Sequence, residues 1–147
     1  MDDTPDDTAP DTPDETSGET LEARLTRLAA GKYLLVSSAR KDGTLVPSPV
    51  WVVPDGDALG IWTPSESWKV KRIRRRADVM VGPCDVRGNP TGPQAPATAE
   101  ICGPEVTARY RTLINRKYKV VGFLTLLGSR IRRGLDGTVG IRITLTR

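Results

Sequence analysis

Between Tyr33 and Thr63 the chain is a succession of short runs rich in strand formers, cut by turns too tight to let neighbouring runs lie parallel. Tyr33-Leu-Leu-Val-Ser-Ser-Ala39 stops at the Asp-Gly turn Lys41-Asp42-Gly43. The chain returns through Thr44-Leu-Val-Pro-Ser-Pro-Val-Trp-Val-Val53, turns at Asp55-Gly56-Asp57 and leaves through Ala58-Leu-Gly-Ile-Trp-Thr63. Turns of this kind join antiparallel strands, whereas parallel neighbours need a crossover of about a dozen residues or more. Pro47 and Pro49 cannot donate ladder hydrogen bonds, so their strand is expected at an edge or to contain an irregular stretch. Further strands are expected at Asp78-Val-Met-Val-Gly-Pro-Cys84 and from Gln94 to Cys102, with Arg87-Gly-Asn-Pro90 turning the chain between them. Gly137 to Leu145 alternates cleanly and supplies the last strand. Six strands with helices inserted late predict a mainly β fold, a small Greek-key-like antiparallel barrel, and not a doubly wound sheet.

Three helices are expected. Leu21, Leu25, Leu28 and Ala29 recur at helical spacing and stop at Gly31. A second helix is read from Pro64 to Arg76. A third opens at Pro104, with Tyr110, Leu113, Ile114, Lys117, Tyr118 and Val121 on one face. It continues from Phe123 to Ile131 past a break at Gly122, and ends at Gly134.

Residues 1–20 hold eight acidic side chains, Pro5, Pro10 and Pro13, and no lysine or arginine. Such a segment buries too little surface to offset its ordering entropy and is expected to be disordered, with one folded domain at residues 21–147. Its removal changes the charge balance. The whole chain carries 22 basic and 18 acidic residues, but residues 21–147 carry 22 against 10, a net of +12. A domain this basic attracts an anion: nucleic acid, lipid headgroups, or a phosphorylated or carboxylated small molecule. No histidine is present, which excludes imidazole bases, His-based triads and His metal sites. Cys84 and Cys102 read as two core thiols in a reducing cytoplasm. No run is long enough for a membrane span, and the acidic N-terminus is no secretory signal, so a cytoplasmic location is expected.

The segment that carries chemistry is Ile61-Trp-Thr-Pro-Ser-Glu-Ser-Trp-Lys-Val-Lys-Arg-Ile-Arg-Arg-Arg76. Thr63-Pro64-Ser65-Glu66 matches a capping box with proline at the first helical position, which makes Thr63 the expected N-cap. A helix start of this kind offers free N–H groups and a positive dipole end, suited to phosphate. At 100° per residue, Val70, Ile73 and Ala77 form an apolar stripe. Lys69, Arg72 and Arg76 flank it, while Lys71, Arg74 and Arg75 read as a solvated face. With the hydroxyls of Thr63, Ser65 and Ser67, Lys69 and Arg72 form an expected phosphate clamp. A second basic run includes Arg109, Arg111, Arg116, Lys117, Lys119, Arg130, Arg132 and Arg133. It reads mostly as solvated helix face, with a minority free to receive an acidic cofactor tail or anionic substrate. Pro47-Ser48-Pro49-Val50-Trp51 is the other candidate. Its prolines leave backbone groups unpaired, along which a flat heterocycle can lie with Trp51 as an aromatic wall. Trp51 and Trp62 taken singly read as core aromatics.

These residues resemble the pyridoxamine 5'-phosphate oxidase-like split β-barrels, and within them the oxidoreductases dependent on the deazaflavin coenzyme F420. The matching text is Lys32-Tyr-Leu-Leu-Val, Arg40-Lys-Asp-Gly-Thr44, Val46-Pro-Ser-Pro-Val-Trp51, Trp62-Thr63, Ser67-Trp-Lys-Val-Lys-Arg-Ile-Arg-Arg75 and Val79-Met-Val-Gly-Pro-Cys-Asp85. Gly88-Asn-Pro-Thr-Gly-Pro93 and Arg116-Lys-Tyr118 add to it. The resemblance implies a six-stranded split barrel of the FMN-binding type and a homodimer with cofactors in grooves between subunits. It places the cofactor phosphate near Thr63, Ser67, Lys69 and Val70, beside the Arg72 read from helical spacing, and the ring along Ser48, Pro49, Val50 and Trp51. It implies hydride transfer from reduced F420 to a small unsaturated acceptor. An FMN-binding protein of the same fold, a non-catalytic cofactor carrier and a basic nucleic-acid binder are the other readings.

Overall fold

The computed structural model describes residues 19–118 and 137–146. Seven strands form one antiparallel sheet: β1 (Leu34–Ala39), β2 (Leu45–Val50), β3 (Val52–Asp55), β4 (Ala58–Pro64), β5 (Asp78–Pro83), β6 (Ala95–Ile101) and β7 (Thr138–Leu145). Helices α1 (Leu21–Ala30), α2 (Trp68–Arg75) and α3 (Pro104–Lys117) are inserted between them.

The strand order is β2-β1-β5-β6-β7-β4-β3. β2 and β3 therefore lie at opposite edges although Trp51 alone separates them in sequence. A flat sheet would hold those edges about 29 Å apart, at ~4.8 Å per strand. The two residue steps from Val50 to Val52 span at most about 7 Å. The sheet must curl on itself, and this is the split-barrel architecture. The run expected as one strand over residues 44–53 is thus two, which raises the count from six to seven. At Trp51 the chain changes partner: Val50 lies opposite Leu34 of β1, and Val52 opposite Ile61 of β4. The residue pattern runs on unbroken through that exchange, so it carries no mark of it.

Alternation sorts the side chains into two cores. Leu34, Val36, Leu59, Ile61, Val81, Ile141 and Ile143 fill the barrel, joined by Leu28 of α1 and by Val70 and Ile73 of α2. Outside, Tyr110, Ile114 and Tyr118 cover Val53. The Tyr110 ring fits because Gly60 and Gly140 lack side chains: a Cβ at either would come within 3 Å of it.

The helix ends follow local chemistry. Thr20 caps α1 by accepting from the Ala23 amide (3.0 Å), and Glu19 pairs with Arg27 (2.8 Å). Gly31 ends α1 as its spacing predicts. α2 starts four residues later than the capping box suggests. Thr63 and Pro64 belong to β4, opposite Val139 and Thr138, and Ser67 is the N-cap. Pairing with β7 outweighs the local capping pattern. At its other end α2 closes at Arg76, which leaves Ala77 exposed beyond the helix and outside the expected stripe. For α3, the continuation over Phe123–Ile131 and the stop at Gly134 lie outside the described residues.

Candidate functional site

α2 lies across the end of β1, and the two bring together the basic residues read from the sequence. Val70 and Ile73 anchor α2 in the barrel core. Lys69 and Arg72 are then held at the rim of that core and not out in solvent. The Lys69 ammonium donates to Thr63 Oγ1 (3.2 Å), and Thr63 is only 4% exposed. Arg72 Nε donates to Ser38 Oγ (2.8 Å), a fully buried hydroxyl of β1. Burial pushes the Lys69 ammonium below the usual lysine range, and the neighbouring Arg72 charge adds to the effect. Arg72 is lowered too, by burial and then by Arg40 and Arg75. Cations crowded enough to oppose one another's charge form a site that an anion relieves.

Arg75 joins this group. Exposed, as its spacing predicts, it also reaches back to donate to the Ala39 carbonyl (2.6 Å). With Arg40, Lys41, Trp68 and Arg72 it lines a groove of about 430 Å³. Trp68 is 70% exposed, with the Lys71 ammonium 4.6 Å above its ring. Among the described residues, none of Arg40, Lys41, Lys69, Arg72 and Arg75 forms an ion pair with a carboxylate. Arg76, expected beside Lys69 and Arg72, lies past the helix end. It faces a separate hollow lined by Asp78, Met80 and Pro96.

The remaining candidates are distributed more widely. Ser67 Oγ accepts from the Val70 amide (3.4 Å), so that N–H is engaged, and the Val70 side chain lies wholly in the core. Ser48 and Val50 lie half-buried on the inner side of the edge strand β2, opposite Val36 and Leu34. Val46 faces Ser38, the partner of Arg72. Ser48 and Val50 therefore continue the same side of β2 at about 7 and 13 Å from that point. Pro49 is exposed on the opposite side, where the Gly88 turn approaches its ring. Proline at 47 and 49 places residues without an N–H at alternate positions of a strand whose second side is unpaired, as an edge requires. Trp51 stacks on Tyr118 (4.7 Å between ring centroids, 12° between planes).

Part of the second basic run has a structural task. Lys117 donates to the carbonyls of Ala29 (2.8 Å), Gly31 (2.8 Å) and Val52 (2.7 Å), using all three of its protons. Tyr118 donates to the Lys32 carbonyl (2.7 Å) and accepts from the Val52 amide (3.1 Å). Arg109 pairs with Asp55 (2.9 Å), and Tyr110 donates to the same carboxylate. Burial and that carboxylate raise the Tyr110 hydroxyl far above its ordinary range. Lys119, Arg130, Arg132 and Arg133 lie outside the described residues. Cys84 and Cys102 are free, and burial raises both thiols. Among the described residues, no group of three Cys, Asp or Glu side chains can hold a metal, and no helix is long and apolar enough to cross a membrane.

Spacing on α2 pointed to Lys69 and Arg72 but missed Ser38, Arg40, Lys41 and Arg75. Arg40 and Lys41 enter the groove because the Asp-Gly turn brings them beside α2, a tertiary placement with no periodic signal.

No family model and no curated protein matches this chain. Solved structures do. A candidate pyridoxamine 5'-phosphate oxidase from Listeria innocua superposes with a TM-score of 0.61 at 16% identity, over 87% of this chain and 95% of that one. An F420 reductase does so at 0.58 and 18%, over 86% and 95%. The heme storage protein HutZ of Vibrio cholerae gives 0.59 and 11%, over 86% and 91%. At these identities the similarity is one of fold: the chain shares the split β-barrel of these proteins.

Proposed function

We propose that this chain binds a phosphate-bearing flavin-like cofactor, coenzyme F420 foremost, and serves as an F420-dependent oxidoreductase acting on a small unsaturated organic acceptor. The observation that carries the reading is the group of cations along α2 that, among the described residues, form no ion pair with a carboxylate, with Lys69 half-buried against Thr63 near the helix start and Arg72 held on Ser38 in its last turn. These residues fit the group. A phosphate there takes charge-assisted hydrogen bonds from Lys69 and the free guanidinium edge of Arg72, and relieves their mutual opposition. Thr63 and Ser67 complete the polar lining. In this reading the ring lies along the inner side of β2 at Ser48 and Val50, with Trp51 at the strand's end, while Pro49 faces the other side.

When bound, the deazaflavin supplies hydride transfer, which needs neither a histidine nor a carboxylate pair. The chain's own part is to bind, to orient and to hold a positive field over the anionic end of the cofactor. In this reading two copies of the chain pair with the cofactor between them, and sedimentation of the purified protein checks that pairing. The F420 reductase among the structural matches supports this choice, and the candidate pyridoxamine 5'-phosphate oxidase supports FMN as the alternative. The heme storage protein favours a second reading, binding without turnover.

The test is titration of F420 and of FMN side by side, followed by reoxidation of reduced F420 with candidate enones. Lys69→Ala is expected to weaken binding about 10- to 100-fold, the value of one or two charge-assisted hydrogen bonds. Wild-type protein that binds neither cofactor at micromolar concentration defeats the proposal. Tight binding with no turnover selects the carrier.

A further inference from the structure

On α2, Trp68, Lys71, Arg72 and Arg75 recur at i, i+3, i+4 and i+7 and so share one face, on the side of the helix opposite Val70 and Ile73. Arg72 and Arg75 lean from that face onto β1, each through one nitrogen: Arg72 Nε on Ser38 Oγ and Arg75 Nη2 on the Ala39 carbonyl. Arg40 and Lys41, in the turn after β1, line the same groove. Residues 40–42 and 66–76 together hold eight cations and two carboxylates, Asp42 and Glu66. Asp42 accepts from the Thr44 amide (2.9 Å), and bonds to Thr44, then the Arg40 charge, hold its carboxyl below the ordinary aspartate range. Trp68 is out of character on so basic a face. It is the most exposed large apolar side chain among the described residues, 70% against 63% for Val86. The Lys71 ammonium covers one side of its ring, and the rest of the indole is a flat apolar surface beside a row of cations.

We infer that this face of α2 is a docking surface for single-stranded nucleic acid, with a base stacked on Trp68 and the adjoining phosphates on Arg72, Arg75, Arg40 and Lys41. The combination of groups selects the partner. Cations alone suit any polyanion, but an exposed indole among them adds binding only for a ligand that alternates flat rings with negative charge. An acidic peptide brings the charge without the rings. A duplex brings both, yet its bases stack on one another, out of reach of the indole. A lipid surface calls for an apolar helix face to insert, and the apolar face of α2, Val70 and Ile73, is buried in the barrel. The helix rises about 10 Å between Trp68 and Arg75, at ~1.5 Å per residue, so the ring and the last cation meet successive groups of one extended ligand. Two of the four cations are already held in place on β1, which lowers the side-chain entropy lost on binding. Arg72 also belongs to the cofactor site proposed above, so oligonucleotide and cofactor phosphate compete for it. Only that competition rests on the cofactor reading.

The test is fluorescence anisotropy of short labelled oligothymidylate and oligouridylate with the full chain, free of cofactor, across a range of NaCl. Binding is expected at low salt, its affinity falling with a log–log slope of about −1.4 to −2.8, the release from two to four phosphates at ~0.7 each. Trp68→Ala, a change at an exposed position, is expected to weaken binding about 5- to 100-fold, the value of one stacked base, and Trp68→Phe to restore most of it. Bound oligonucleotide is expected to quench tryptophan emission in the wild type but not in Trp68→Ala, where the partly buried Trp51 and Trp62 remain. Arg75→Gln is expected to flatten the salt slope by about 0.7. Polyglutamate bound as tightly as oligothymidylate, a duplex preferred over the single strand, or unchanged affinity in Trp68→Ala would each overturn the inference. Oligonucleotide binding without binding of F420 or FMN would reject the cofactor reading and leave this one standing. F420 binding with no oligonucleotide bound would overturn this one alone.

Discussion

Lys69 shows how one side chain is tuned by what surrounds it. Its half-buried ammonium has a neutral hydroxyl as partner and Arg72 as neighbour, so its proton is held less tightly than in water. For the free protein the sign is as follows. The folded-state value is depressed, so stability is full above pH ~10.5, where both states are neutral, and falls as pH drops through the folded value. A bound anion needs the charged form. Phosphate or cofactor affinity is therefore expected to fall as pH rises toward 10, beginning below the ordinary lysine range. Lys69→Arg, which stays charged, is expected to flatten that profile, and titration calorimetry across the alkaline range checks it. A second residue-scale prediction concerns Gly60. An added Cβ would stand 2.8 Å from Tyr110 Cζ, and the fully buried Tyr110 has nowhere to retreat. Gly60→Ala is expected to cost about 1–3 kcal/mol, read as a lowered urea midpoint with unchanged slope.

At the scale of elements, the reading from sequence held where a local signal matched the final neighbour and failed where a distant strand intervened. Gly31 ends α1, Val70 and Ile73 face the core, and the two Asp-containing turns join antiparallel strands, because spacing and turn chemistry alone decide those features. Thr63 looked like a cap, but the partner that draws it into β4 is Val139, some 76 residues away in the chain. The same limit hid the site's rim: Lys69 and Arg72 could be found from helical spacing, whereas Ser38, Arg40 and Arg75 became neighbours only through folding. Lys117 is the clearest case. As one cation in a basic run it carried no distinguishing pattern, yet it ties the end of α3 to the end of α1 and to β3. Lys117→Met keeps the stem and removes the donor from the part-buried carbonyls of Ala29 and Val52 and from the exposed one of Gly31. The expected loss is about 2–4 kcal/mol, with the α1 amides exchanging faster than the rest in hydrogen exchange.

On the scale of the whole molecule, β7 decides whether there is a barrel at all. It lies between β6 and β4 and so joins the four-strand group β2-β1-β5-β6 to the pair β4-β3. Ile141 and Ile143 place two of its fully buried side chains at the centre of the interior core. Amides of β7 are expected to be among the slowest to exchange, and those of β4 and β6 to open with them at the global unfolding free energy. Early exchange of β7 alone, followed by mass spectrometry, would contradict that picture.

The position of β7 also bears on how the protein is made. Residues 138–145 reach the ribosomal exit after every other described strand, so the facing edges of β4 and β6 stay unpaired until β7 emerges. During that interval the nascent chain presents two open strand borders, each a template for a stray partner. A chaperone that shields β strands, or slow translation of the β7 segment, should therefore govern the yield of this protein more than any weakness of the finished fold.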